Sequence, residues 1–427
     1  MIRALPETES DLLVIGTGLA GIGAALFAAD RGIPTTLVGM TGELNFASGL
    51  LDLMGIHPIA QWRCWNNPWA AIDALLRDCP EHPYGLLDRS DMRTAFQRFT
   101  SFLGDHGLPY HLEPEANQRV ITPVGTVKTT YAVPVSMLHG VAALAQKAPC
   151  LMVGFTGLKG FSSRQIAETL KDRWPAIGSC QIPFPGMSGE LYPEHLAQAL
   201  AAPTVREQLA AAIRPHLGSS LYVGLPAMLG LYDHGLVFRE MQRLLERKLF
   251  EIPTMPPGIT GLRLKSVFEN ELPRLGVATH FQQKVLTFEP RGEDGFLFGV
   301  GTQRVEWRVR CRGAILAGGR FFGRGLRADR TGIRETLFDL PVAQPARRAD
   351  WHRSDLFDPA GHPVNRAGLE TDSRLRPLDR QGRPAYPNLY AAGSILAHQD
   401  WTRMKCGAGL AITTAYAAVK ALVGRGA

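Results

Sequence analysis

The chain has 427 residues, room for two or three domains, and its 45% hydrophobic and 20% charged residues are an ordinary globular composition. A formal net charge of +7 is mild for this length and comes with no recognition motif, which argues against a nucleic-acid partner. Six cysteines without a Cys-x-x-Cys pair argue against an iron–sulfur cluster or zinc site in this chain, and for a reduced, cytoplasmic protein.

The first predicted element is an apolar strand, Asp11–Ile15, that runs into Gly16-Thr17-Gly18-Leu19-Ala20-Gly21 and then a helix. This is a Gly-x-Gly-x-x-Gly turn in its strand–turn–helix setting. Gly16 permits the tight turn, Gly18 lets the backbone approach a phosphate, and Gly21 lets the helix sit close on the strand. The helix N-terminus then offers amides and a favourable dipole to the phosphate. Acidic Glu7, Glu9 and Asp11 precede the apolar run and glycines interrupt it, so it is not a signal anchor. Gly32 stops the helix and Pro34–Val38 forms the second strand.

A dinucleotide site carries Asp or Glu at the end of that second strand to hold the adenosine ribose. Here the strand ends Val38-Gly39-Met40, and the next carboxylate, Glu43, comes too late. A phosphate cradle without a ribose acid points to FMN or to NADP. NADP wants a basic residue nearby, and Lys and Arg are both absent from Pro34 to Gln61, which weakens that alternative.

Residues 62–123 alternate helix-like runs with Pro and Gly breaks, and Val124–Tyr131 reads as a strand pair. Leu151–Phe155 is an apolar strand, followed by a helix over Ser163–Trp174 and helical patterns at Glu194–Ala202, Thr204–His216 and Leu236–Leu249. Leu221–Tyr232 is too short and too broken by Gly and Pro to span a bilayer. The middle block therefore reads as an inserted α/β domain. Arg320, Arg324, Arg327, Arg330 and Arg334 form a basic cluster suited to an anion, an acidic surface or water.

Two late segments complete a flavin-like pattern. Arg312–Gly319 is a small apolar strand ending in a glycine pair. Pro387–Ser394 is a second one, with Ser394 where flavoproteins of the two-dinucleotide-binding type usually carry an acid for the ribityl chain. A hydroxyl there is a weaker, neutral partner. Lys405–Ile412 opens an alanine-rich helix to Val423, whose N-terminus would stabilise negative charge on a flavin pyrimidine ring.

The chain resembles the B-subunit family of bacterial anaerobic glycerol-3-phosphate dehydrogenase through Ala47–Leu53, His82–Leu87, Arg119–Thr126, Pro253–Pro257, Gly332–Glu335, Thr371–Pro377 and Cys406–Gly409. Lys405 and Ala408 depart from that pattern. The resemblance implies an FMN flavoprotein of the fumarate-reductase-like class. It would work with an FAD-bearing catalytic subunit and a membrane-bound iron–sulfur subunit, oxidising sn-glycerol 3-phosphate to dihydroxyacetone phosphate and passing electrons to quinone in anaerobic respiration. The protein would be cytoplasmic, touching the inner face of the cytoplasmic membrane only through the complex.

The expected fold is α/β, a discontinuous Rossmann-like flavin domain (1–60 and 260–427) with an inserted α/β domain (61–259). Gly16, Gly18 and Gly21 would cradle the FMN phosphate, and Ser48 and Gly49 would approach the isoalloxazine. Gly393 and Ser394 would lie at the ribityl chain, and Cys406, Gly407 and Gly409 at the pyrimidine edge, although Cys406 reads equally as a small buried filler. Arg334 and Arg376 are candidates for a substrate or partner anion. No metal site is expected. No general base stands out; His57 and His82 lie in loops, which suggests that alcohol chemistry belongs to the FAD-bearing subunit and electron relay to this chain. The alternatives are a stand-alone flavoenzyme acting on another small anionic substrate and a non-catalytic nucleotide-binding subunit.

Overall fold

A computed structural model describes residues 5–40 and 43–424. The chain divides into two compact units, one comprising Met1–Glu43, Asp52–Phe99 and Phe268–Ala427, the other Leu44–Leu51 and Thr100–Val267.

The first unit is built on a seven-stranded mixed sheet. Strand β1 (Glu7–Ile15) is followed by helix α1 (Leu19–Ala29) and β2 (Thr35–Gly39); β3 (Ala278–Phe281), β4 (Lys284–Pro290), β5 (Phe296–Gly301), β6 (Trp307–Leu316) and β7 (Leu389–Ala391) follow. The order is β3-β2-β1-β6-β5-β4, with β7 also pairing β6. Neighbours β3, β2, β1 and β6 run parallel. The long β6 is shared: its first half pairs antiparallel with β5 and its last residues pair parallel with β7.

Leu12, Leu13 and Val14 are fully buried because β1 has a strand on each side, and an interior parallel strand needs such a continuous apolar run. The strand begins earlier than its apolar run. Its polar half, Glu7–Ser10, pairs with Arg308–Cys311, and Arg310 Nη2 meets Glu7 Oε1 at 2.6 Å. Cross-strand charge pairing extends the ladder where hydrophobicity gives no signal. Helix α1 is buried along nearly its whole length. A Cβ on Gly23 would lie 3.6 Å from Ala415 Cβ of the closing helix α2 (Gly407–Val423).

The second unit carries a four-stranded parallel sheet in the order Lys248–Ile252, Tyr222–Pro226, Cys150–Phe155, Ile177–Ile182. Alternate residues of its central strand feed two cores: Leu151 and Val153 pack on one face, Cys150 and Met152 on the other. Beside it, Glu251 and Arg263 form a buried bidentate pair at 2.6 and 2.9 Å.

Several boundaries differ from the sequence expectation. The segment 61–99 packs with the first unit, and 44–51 and 260–267 with the second. Within the first unit, Lys420 of α2 pairs with Asp91 at 2.7 Å, and the rings of Phe99 and Phe268 lie 5.3 Å apart. An amphipathic helix shows that it has a buried face, but not which core receives it. The expected strand pair at Val124–Tyr131 is instead a hairpin of Gln118–Ile121 with Val127–Thr130, turning at Gly125 with φ +80. The helical pattern over Leu236–Leu249 is a helix at His234–Leu245 followed by a strand at Lys248–Ile252. Among the described residues no helix is long and apolar enough to cross a membrane, and no cluster of His, Cys, Asp or Glu is arranged for a metal ion.

Candidate functional site: a cleft at the strand ends

The C-terminal ends of β1, β2 and β6 open into a cleft of about 350 Å³ within the first unit. Open α/β sheets place ligands at this kind of crevice. Its floor is the Gly16-Thr17-Gly18 turn with Ala317 and Gly318, and its walls come from Val38–Met40, Gln283–Val285, Phe322–Gly325 and Glu335–Leu337.

The turn is set by close packing. Gly16 has φ +120, and a Cβ on it would overlap the carbonyl of Ala317. A Cβ on Gly21 would overlap the carbonyl of Gly16, so the helix sits directly on the turn. Gly18 is in ordinary extended conformation, and its carbonyl accepts from Ile22 N at 3.0 Å, opening α1. The end of β2 presses on the same turn: a Cβ on Gly39 would lie 2.7 Å from Thr17 N. A carboxylate side chain at 39 has no room. Thr17 is buried, and its Oγ1 has no hydrogen-bond partner among the described residues. A buried hydroxyl without a partner is costly unless something in the cleft engages it.

The later candidates sit elsewhere in the first unit. Gly393, with φ +81, donates its amide to Thr414 Oγ1 at 2.9 Å, and a Cβ on it would lie 2.6 Å from Ala20 Cβ. The carbonyl of Ser394 accepts from Arg320 Nε at 2.9 Å and Gln399 Nε2 at 3.0 Å. Cys406 is fully buried, and burial raises its thiol pKa, which makes it a packing group. A Cβ on Gly407 would lie 2.7 Å from the Trp401 ring. A Cβ on Gly409 would overlap Tyr84 Oη and lie 2.8 Å from Leu53 Cα, and the Gly409 amide donates to Asp52 O at 2.6 Å. Those glycines are required by the protein's own packing.

Ser48 and Gly49 belong to the second unit. Ser48 Oγ accepts from Leu50 N at 3.4 Å, and Gly49, with φ +79, accepts from Tyr110 Oη at 2.7 Å through its carbonyl.

The basic cluster splits up on folding. Arg320 is partly buried and donates to the carbonyls of Ser394, Asn365 and Gln399; loss of solvent around it lowers its pKa to about 10. Arg324 lines the cleft. Arg334 is exposed and donates to Thr331 Oγ1 at 3.1 Å, while Arg376 is held by Asp372 at 2.6 Å. His57 Nε2 lies 2.7 Å from Asp78 Oδ2. His82 is fully buried, and its Nδ1 accepts from Tyr84 N at 3.1 Å. Burial first, then the charge of Arg366, lowers its pKa to about 3. It is therefore neutral and far too weak a base for an alcohol at neutral pH.

Sequence reasoning missed Thr17, Lys284, Arg324 and Glu335 as cleft residues. Thr17 is visible in the sequence as the variable position inside the motif. Arg324 stood in the basic cluster and Glu335 in a stretch that carries the family resemblance, but neither was placed at the glycine turn, and nothing local marks Lys284.

The family model described as FAD binding domain matches residues 11–410. A relative from Vibrio vulnificus strain YJ016, named as the B subunit of anaerobic glycerol-3-phosphate dehydrogenase, is 30% identical, covering 97% of this chain and 96% of its own length. A relative of the same name from Vibrio cholerae serotype O1 is 29% identical with the same coverage. The 3-ketosteroid delta1-dehydrogenase of Sterolibacterium denitrificans aligns over 98% of this chain with TM-score 0.44 and 14% identity, a likeness that bears on neither substrate nor mechanism. A glycine cradle at the strand ends, a family match spanning both units and curated relatives along the whole chain lead to one conclusion: the chain is a flavoprotein oxidoreductase that belongs to the FAD binding domain family and, within it, to the B-subunit family of anaerobic glycerol-3-phosphate dehydrogenase.

Proposed function

We propose that this chain is the FMN-binding, electron-relaying member of a respiratory dehydrogenase complex that oxidises sn-glycerol 3-phosphate to dihydroxyacetone phosphate. Its partners in this reading are an FAD-bearing catalytic subunit, which carries the alcohol chemistry, and a membrane-bound iron–sulfur subunit, which leads to quinone. The chain then sits at the inner face of the cytoplasmic membrane through the complex.

The observation that carries the FMN choice is the contact of Gly39 with Thr17, which leaves no space for a ribose-holding carboxylate at position 39, the last residue of β2. The residues present suit a flavin phosphate. Gly16 and Gly18 bring backbone to the cleft floor, the α1 N-terminus faces it, and the unpartnered Thr17 hydroxyl lies beside it. A bound flavin would supply two-electron and one-electron chemistry, which no side chain offers. The relay role draws on His82, the most deeply buried histidine of the sequence candidates, being held neutral with a pKa of about 3.

Denaturing the purified protein and identifying the released flavin by chromatography tests the cofactor. FMN supports the reading and FAD overturns it. The relay role fails if this chain alone, with its flavin, oxidises glycerol 3-phosphate at a rate comparable to the complex.

A further inference from the structure

The cleft carries charge that a glycine turn does not need. Lys284 opens β4 and Arg324 lies in the loop that leaves β6, and both line the same cleft as Gly16 and Gly18. Neither forms an ion pair with a described residue. The one carboxylate among the described lining residues, Glu335, is 3% exposed and already committed: its oxygens accept from Leu337 N at 2.9 Å and Phe338 N at 2.6 Å. The backbone at Arg324 is in the left-handed region, φ +63, and its carbonyl accepts from Thr336 Oγ1 at 2.8 Å. A non-glycine residue in that conformation needs its surroundings to hold it. The neighbouring Gly325 has no room for a Cβ, which would overlap the carbonyl of Gly319, so the loop is closed tightly on itself.

We propose that Lys284 and Arg324 make this cleft selective for a phosphomonoester, and that the monoester is the 5′-phosphate of FMN. The inference rests on the FMN reading above and deepens it. A monoester concentrates about −1.5 to −2 of charge on one phosphate at neutral pH, whereas each phosphate of a diphosphate bridge carries a single negative charge. Two cations that line the cleft, with no carboxylate partner among the described residues, would together with the backbone amides of its floor favour the concentrated charge through charge-assisted hydrogen bonds. The 2′-phosphate of NADP shares this chemistry, so it is an arm of the test.

Full-length protein stripped of flavin is titrated with riboflavin, FMN, FAD and NADP, following flavin fluorescence and, for NADP, calorimetry. The wild type and the double variant Lys284→Gln/Arg324→Gln are compared. The expected result is that the variant binds FMN at least roughly tenfold more weakly and riboflavin unchanged, and that added salt weakens FMN binding only in the wild type. Unchanged FMN affinity in the variant overturns the proposal, and so does an equal loss of FMN and riboflavin, which marks a structural role. A loss confined to NADP overturns the assignment to the flavin. FAD released from the untreated wild type defeats the FMN reading independently of these titrations. The single variant Arg324→Lys, which keeps the charge at 324, should retain most of the FMN preference; if it loses as much as the double variant, charge is not the selecting property.

Discussion

Two glycine-rich turns open two helices of the first unit, and they use glycine for different ends. At Gly16–Gly21 the missing side chains let the turn pack on Ala317 and on itself, and a cleft remains above it. At Cys406–Gly409 the missing side chains are replaced by the protein's own atoms: the Trp401 ring, Tyr84 Oη and the Asp52–Leu53 backbone. A glycine motif in a sequence thus announces close approach without saying what approaches. The second turn resembles a ligand site in sequence, yet an amide at its helix start is already given to Asp52 O.

The comparison can be broken by substitution. The largest effect is expected for Gly21→Ala, whose Cβ would overlap backbone that has nowhere to go; the variant should lose flavin and at least about 3 kcal/mol of stability, read from flavin content and denaturant midpoints. Retention of wild-type flavin content by that variant would remove the turn from the cofactor site.

Gly409→Ala should cost about 2–3 kcal/mol through overpacking. Adding Tyr84→Phe removes the overlapping hydroxyl but also its 2.6 Å hydrogen bond to Leu53 O, and it leaves the Asp52 and Leu53 backbone in place, so the double variant should recover little of the loss. Full recovery would show that the Tyr84 hydroxyl alone fills the space.

The same region should respond to pH. His82 is neutral in the fold, with a pKa of about 3 against an unfolded value near 6.5, and it orders Tyr84 through its backbone amide. Between those values the unfolded chain binds the extra proton, so stability is fully present above about pH 6.5 and falls as pH drops toward 3. The slope contributed approaches about 1.4 kcal/mol per pH unit. Urea midpoints measured across this window should flatten in His82→Gln; an unchanged slope would place the titration elsewhere.

The smallest effect sharpens the first turn. Thr17→Val removes a buried hydroxyl with no partner among the described residues, so stability should change by less than about 1 kcal/mol. Flavin affinity should fall several-fold, measured by fluorescence titration. No change in affinity would mean the hydroxyl does not meet the ligand.

The sequence by itself determined the nucleotide-binding core. A parallel interior strand must be continuously apolar, and Leu12–Ile15 is; a phosphate turn must lack side chains, and Gly16 does. The missing acid after β2 was equally legible, because it is a property of consecutive residues. The motif stretches that carry the family resemblance were legible for the same reason. The tertiary structure alone decided where the amphipathic helices of 61–99 and the segment 44–51 pack, since periodicity shows a buried face but not its neighbour. It also sorted the arginines of 320–334 into a half-buried strut, a cleft residue and exposed side chains, which identical residue types in one loop cannot reveal. It brought Lys284, Arg324 and Glu335 to the Gly16 turn, because a sheet places in contact strands that lie hundreds of residues apart in the chain. Finally, it showed that glycines of both turns leave their Cβ positions to the protein's own atoms, and that of the two turns Gly16–Gly18 also lines the cleft.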